Sequence, residues 1–287
     1  MPYSAQITRK NPALFVFLID QSSSMDDTNP NKEKLSKTVS DAVNKIIAGL
    51  VLRSAKDEGI RDYFYISVIG YCGTTADFML NLESKPSPRV KISKLADNFL
   101  RVENRNKKVP DGAGGLVELK TKFFVWIEPK ANGATPMVEA FKKAKMVVTD
   151  FICEFPNSFP PIVMNLTDGE PSDWTGNGPI PEAVQLMDCR TSDGNVLVFN
   201  CHMTAGQPGV IKFPDSAESL KEARAKDLFY SSSLLPEIFH GSAKDCGYNI
   251  SSNSRGYVYN AEMTDIIHFL DIGTSVEKRI ALVSNDR

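Results

Sequence analysis

Residues 14–19 read Leu-Phe-Val-Phe-Leu-Ile and are closed by Asp20. Six apolar residues are too few for a helix. Their Phe and β-branched content suits a strand buried on both faces, as in a parallel sheet. The loop that follows carries Asp20, Ser22 and Ser24, one carboxylate and two hydroxyls at alternate positions. In open α/β sheets, loops at the carboxyl ends of strands are where ligands bind. Serine-rich turns are common, so this motif acquires meaning only through its partners.

The rest of the chain alternates. Asn29-Pro30 reads as the N-cap and first turn of a helix. Leu35, Val39, Ala42, Val43, Ile46, Ile47 and Leu50 continue it at three- and four-residue steps, ending near Arg53. Residues 63–70 read as a second strand and 74–80 as a third. The connection between them is too short for a helical crossover and predicts an antiparallel pair. Residues 81–130 read as an insertion broken by Pro86, Pro88, Pro110 and the glycine-rich 111–115. They leave room for a short helix within 91–102 and a short strand at 122–127. Arg101, Arg105, Lys107 and Lys108 read as a solvated loop, with an anion site as the alternative. Gly112, Gly114 and Gly115 match no phosphate-loop pattern.

A second oxygen-bearing stretch is Asn132-Gly-Ala-Thr-Pro-Met137. Thr135 reads as an N-cap and Pro136 as the first helical residue. The apolar stripe Ala140, Phe141, Ala144, Val147, Val148, Phe151 and Ile152 follows. The Thr135 hydroxyl is then either a simple cap or a group turned outward at the positive end of a helix. A third stretch, Ile162 to Leu166, is again a buried-strand run, and Asp168 repeats the placement of Asp20, with Gly169 for the turn. Neighbouring strands would aim both carboxylates into one crevice; the alternative is an Asx-turn. Asp26, Asp27, Glu170 and Asp173 stand close by, either tuning the field or as solvated loop charges.

Downstream, 181–189 reads as a helix and 196–200 as a strand, with His202 packed rather than chemical. Residues 211–213 suit a short or edge strand. Helices are predicted over 216–230, 234–243 and 263–271, a last strand over 255–260, and a polar tail from Gly273. This alternation predicts a doubly wound α/β fold: a mostly parallel sheet with one antiparallel edge strand and helices on both faces. No repeat or linker divides the 287 residues, so one domain is expected, with its core over about 11–273.

The net charge of -2 speaks against a nucleic-acid scaffold. Residues 1–12 lack the apolar core of a signal peptide, and no apolar run is long enough to span a bilayer. Five cysteines without C-x-x-C spacing indicate neither a disulfide framework nor a zinc site. Reduced thiols in a cytoplasm are the expectation, with no nucleic-acid and no membrane partner.

Taken together, Asp20-x-Ser22-x-Ser24, Thr135 in Gly-Ala-Thr-Pro-Met and Asp168 in Leu-Thr-Asp-Gly resemble a metal-ion-dependent adhesion site. That site marks the von Willebrand factor type A domain. The stretches 160–170, 191–202 and 269–274 resemble a bacterial subgroup, the tellurite-resistance and stress-associated proteins often encoded beside a protein kinase and a protein phosphatase. Two features depart from the pattern. Ser23 stands where the family usually has Gly, and the segment before Thr135 is long.

The resemblance implies that Ser22, Ser24 and Thr135 bind a metal directly, with Asp20 and Asp168 acting largely through water. Five oxygen-bearing residues and no soft ligand favour Mg²⁺, Mn²⁺ or Ca²⁺ over zinc. Mainly neutral ligands leave the cation under-neutralised, so it should seek an Asp or Glu from a protein partner, a kinase or phosphatase of the same system among the candidates. The expected function is metal-dependent protein binding in an intracellular stress or phospho-signalling system, without catalysis. The alternative is a metal-dependent hydrolase or phosphotransferase in the same crevice. Against it, Ser22 replaces the second Asp of an Asp-x-Asp nucleophile pattern, and no water-activating base can be named.

Overall fold

The computed structural model describes residues 2–29, 32–110, 116–203 and 209–275. Pro30, the 111–115 glycine cluster and the tail beyond residue 275 lie outside the described residues, as do the side chains of Lys107 and Lys108. In chain order the elements are β1 (Ala13–Asp20), α1 (Leu35–Ser54), β2 (Phe64–Cys72), β3 (Thr75–Phe78), β4 (Val90–Lys91) and α2 (Ile92–Asp97). Next come β5 (Arg101–Pro110), β6 (Leu116–Val125), α3 (Met137–Glu154), β7 (Ile162–Thr167), α4 (Pro181–Asp188) and β8 (Leu197–Met203). The chain continues with β9 (Ile211–Lys212), α5 (Ala223–Tyr230), α6 (Glu237–Asp245), β10 (Tyr257–Ala261) and α7 (Met263–Gly273).

Among the described residues eight strands form one sheet, in the order β9-β10-β8-β7-β1-β2-β3, with β4 also paired to β2. The pairs β1–β7, β1–β2, β7–β8 and β8–β10 are parallel. The expected antiparallel edge is β3. Val90–Lys91 is likewise antiparallel to β2, and Ile211–Lys212 adds a third antiparallel strand at the opposite edge. Alternation along β1 sorts its side chains. Phe15, Phe17 and Ile19 pack with α1 and α7, and Leu14, Val16 and Leu18 pack with α3, α4 and α5. This two-sided burial is why the strand could be all apolar. Successive crossovers leave β1 in opposite directions across the sheet, so the switch point falls between β1 and β7. The crevice outside their carboxyl ends is the place such a fold offers a ligand.

Several boundaries differ from expectation for local reasons. Helix α1 begins at Leu35 with Lys34 as its N-cap, not at Asn29-Pro30. The Asn29 side chain instead accepts a hydrogen bond from Glu33 N at 3.0 Å, and Asn29 N donates to Glu33 O. This closes a local turn that competes with the helix. Helix α5 starts at Ala223, later than periodicity suggests, and α6 starts at Glu237 because Leu234 bridges to Arg255.

The 81–130 segment holds more regular structure than predicted. Its short strand is the end of β6, which pairs antiparallel with β5 over ten residues, from Leu116↔Pro110 to Val125↔Arg101. Arg101 and Arg105 therefore stand on a strand and not in a loop. Arg105 reaches Asp41 on α1 at 2.7 Å and Glu103 at 2.7 Å. Its guanidinium also lies over the Phe123 ring, 3.4 Å from the centroid. Arg101 pairs with Glu103 and Glu128. Both guanidiniums are thus neutralised within the chain, and neither is free to receive an anion.

Candidate metal centre

Asp20 ends β1 and Thr167 ends β7, so parallel pairing sets them side by side. Asp20 is fully buried. Its Oδ1 accepts from Ser22 N at 2.8 Å, which shapes the loop that follows. Its Oδ2 accepts from the Thr167 hydroxyl at 2.6 Å. Ser23–Asp26 then form a single 3-10 turn, a conformation open to any L-residue, so Ser23 is unstrained where glycine was expected. The turn brings the Ser22 and Ser24 hydroxyls within 3.1 Å of one another, and Ser24 donates to Asp168 Oδ1 at 2.9 Å.

Thr135 reaches the same place from the loop before α3. Ser23 N donates to Gly133 O, Asn132 N to Gln21 O, and Gly73 N to Ala134 O. The 132–135 loop is therefore sewn both to the serine turn and to the β2–β3 connection. Gly133 makes this possible. Its φ is +74°, and a Cβ there would stand 2.9 Å from the Gly73 backbone. Only glycine has both the conformation and the clearance. A Cβ on Gly169 would lie 3.8 Å from both the Ser24 and the Thr135 hydroxyl oxygens. The structure thus brings all five residues, Asp20, Ser22, Ser24, Thr135 and Asp168, to one crevice.

Thr135 is not the cap of α3. Pro136 occupies the N-cap position, with no side-chain cap bond of its own. The free amides of Val138 and Glu139 instead donate to Asp173 Oδ1 and Oδ2, at 3.1 and 3.0 Å. A carboxylate from a distant loop thus satisfies the helix terminus, which leaves the Thr135 hydroxyl to the crevice. Thr135 N donates to the Ser172 hydroxyl, and Ser172 N returns a bond to Thr135 O. Of the neighbouring charges, Asp26 pairs with Lys34 at 2.7 Å and Glu170 with Arg224 at 3.7 Å.

Electrostatics at the crevice favour a cation. Burial, and then the charge of Asp20, push the Asp168 carboxyl up to about 6, against the pull of Ser24's hydrogen bond. Burial also raises Asp20, despite bonds from Thr167 and Ser22. A buried carboxylate and a half-buried one whose ionisation it opposes are relieved by a positive ion. The donors are all hard oxygens, from two carboxylates and three hydroxyls. Among the described residues no three His, Cys, Asp or Glu side chains cluster as a metal set. The crevice residues, all hard oxygens, fit Mg²⁺, Mn²⁺ or Ca²⁺.

His202, at the end of β8, packs. Its ring stacks on Tyr259 with centroids 4.9 Å apart, and burial pushes its pKa down to about 4. The five cysteines are free thiols. No helix among the described residues is long and apolar enough to cross a membrane. Sequence reasoning passed over Thr167 and Ser172, which orient Asp20 and Thr135. A Thr directly before Asp168 was the available signal for the first; nothing local marks the second.

The chain is an α/β protein of doubly wound design with an oxygen-lined crevice at the carboxyl edge of its sheet. No protein-family model matches it, and no curated protein matches it. Among solved structures it is similar to the pilus adhesin SpaC from Lactobacillus rhamnosus GG, with a TM-score of 0.53 and 11% identity. That match covers 96% of this chain and 32% of SpaC. It is also similar to the vWF domain of the type V pili tip protein Mfa5 from Porphyromonas gingivalis, with a TM-score of 0.42, 8% identity and 96% of each chain covered. The manganese-loaded TRAP protein of Plasmodium vivax matches with a TM-score of 0.36 and 16% identity, over 72% of this chain and 62% of that one. The likeness to SpaC shows the fold, and this chain spans about a third of SpaC's length.

Proposed function

We propose that the crevice holds one hard divalent cation, Mg²⁺ or else Mn²⁺ or Ca²⁺, and that the chain is a metal-dependent protein-binding module. Asp20, Ser22, Ser24, Thr135 and Asp168 would hold the ion. The observation that carries this reading is the meeting of five oxygen donors from three separate loops, among them the fully buried Asp20 carboxylate and the half-buried Asp168. When bound, the cation supplies a Lewis-acidic centre that a carboxylate can approach. The chain's own residues do the rest. Asp20 is held by Thr167 and Ser22, Thr135 is held by Ser172, and Gly169 leaves the approach free of a side chain. A partner's Asp or Glu then completes the site.

Binding is preferred to catalysis because Asp26, Glu170 and Asp173 beside the crevice are each engaged in structural contacts. We assign the cytoplasm as its compartment, and a bacterial stress or phospho-signalling system with a kinase or phosphatase partner as its setting. The five free thiols support the compartment; the motif resemblance over 160–170, 191–202 and 269–274 supports the setting.

Calorimetric titration with Mg²⁺ and Mn²⁺ tests the site. Asp20→Ala and Thr135→Ala should abolish binding with far-UV circular dichroism preserved. Unchanged affinity in both variants would refute the assignment. Pull-down with and without chelator tests the partner, and Mg²⁺-dependent phosphatase turnover lost in Asp168→Ala would replace binding with hydrolysis.

A further inference from the structure

Two asparagines are buried in the middle of otherwise apolar strands. Asn165 on β7 and Asn200 on β8 are fully buried and stand opposite each other in the parallel register. Asn165 Nδ2 donates to Asn200 Oδ1 at 3.0 Å. Asn165 Oδ1 accepts from the Tyr71 hydroxyl at 2.8 Å, reaching across β1 from β2. Asn200 Nδ2 donates to the Ser232 hydroxyl at 2.9 Å and to Ser231 O at 3.1 Å, in the turn that follows α5. Tyr71 is itself fully buried, paired in register with Asp20, and lies against Thr167. Thr167 in turn holds Asp20 Oδ2. A hydrogen-bonded path thus runs from the end of α5 across the sheet to the Tyr71 phenol, which stands beside the Thr167–Asp20 bond at the crevice.

Burying amides this way contributes little to net stability. Each is costly to desolvate when unpaired, and replacing a bonded pair by apolar groups of similar shape is close to neutral. Leucines at 165 and 200 would match the flanking Val163, Leu166, Val198 and Cys201. Fixing strand register would account for Asn165 and Asn200 facing each other. It does not account for Tyr71, whose phenol connects that pair to the row holding Asp20 and Thr167. We infer that Asn165 and Asn200, acting through Tyr71 and Thr167, are positioning residues that fix the Asp20 carboxylate for the cation. This rests on the metal reading of the crevice. Groups that orient a ligand's own partners cost about 10–100-fold in metal affinity when removed.

The test uses Mn²⁺ alone, followed by calorimetry and by electron paramagnetic resonance of the bound ion. The triple variant Tyr71→Phe, Asn165→Leu, Asn200→Leu removes the path and leaves the Ser231 carbonyl, at the end far from the crevice, without its Asn200 donor, while the Ser232 hydroxyl keeps its bond to Leu228 O. The single variant Tyr71→Phe cuts one link and decides the matter if the triple variant does not fold. Val163→Ala, on the same strand and face, is the control for a plain loss of packing. A relay lowers Mn²⁺ affinity by about 10–100-fold in the triple variant and changes the resonance line shape. Tyr71→Phe then shifts affinity in the same direction, whereas Val163→Ala lowers only the melting temperature. Wild-type affinity and line shape in both path variants overturn the inference. Wild-type protein that takes up no Mn²⁺ refutes the metal site itself, a different result in which wild type and variants coincide.

Discussion

At the scale of single residues, the crevice depends on groups that sequence patterning treats as punctuation. Gly133 holds φ at +74° with the Gly73 backbone where a Cβ would go. Gly133→Ala should therefore cost about 1–3 kcal/mol or more, because a strained backbone and a steric clash coincide. Urea unfolding at neutral pH measures this, and a midpoint equal to wild type would contradict it. Asp173 caps α3 through two backbone amides. Asp173→Ala should lower stability by about 0.5–2 kcal/mol. It should also loosen Thr135, since the loop that carries Asp173 also carries Ser172. A metal titration of the same variant reads the second effect as weakened binding.

At the scale of elements, the β5–β6 pair is anchored to α1 through Arg105 and Asp41. Burial raises the Asp41 carboxyl, but hydrogen bonds and charge from Arg105 and Lys37 outweigh it and leave the pKa below its ordinary value of 3.8. An acid depressed by folding contributes stability that is present in full above its unfolded pKa. That contribution is lost as pH falls through the folded value. The anchor should therefore weaken below about pH 4. Comparing urea midpoints of wild type and Asp41→Asn at pH 7 and pH 3 checks the sign. The difference between the two proteins should shrink at pH 3, and a difference that grows would reverse the argument. The same elements show where patterning stops. Ten-residue pairing between β5 and β6 is invisible to a window that meets prolines and glycines first. The basic side chains along it look solvated until Asp41 and Phe123 are seen beneath Arg105.

At the scale of the whole molecule, a ligand that binds the folded crevice and not the unfolded chain must raise the melting temperature. Mg²⁺ at a hundred times its Kd should add about 2.7 kcal/mol. Chelator should reverse the shift, and Asp168→Asn should abolish it; differential scanning calorimetry reads all three. The alternating strands and helices, and the oxygen-rich ends of residues 14–20 and 162–168, were legible from the sequence because strand burial and helix periodicity are local. Asp20, Ser22, Ser24, Thr135 and Asp168 stood out as candidates for a related reason: four stand at or just past the end of a strand whose pattern announces it, and Thr135 stands just before a helix whose pattern announces its start. Strand order was not, since it depends on which crossovers pack together. That order placed β1 beside β7 and so joined two carboxylates 148 positions apart by register. It also decided that Asp173 caps α3, that Thr167 holds Asp20, and that Tyr71, Asn165 and Asn200 meet. Contacts of that kind have no periodicity, because the residues that make them share a place only after the sheet has closed around them.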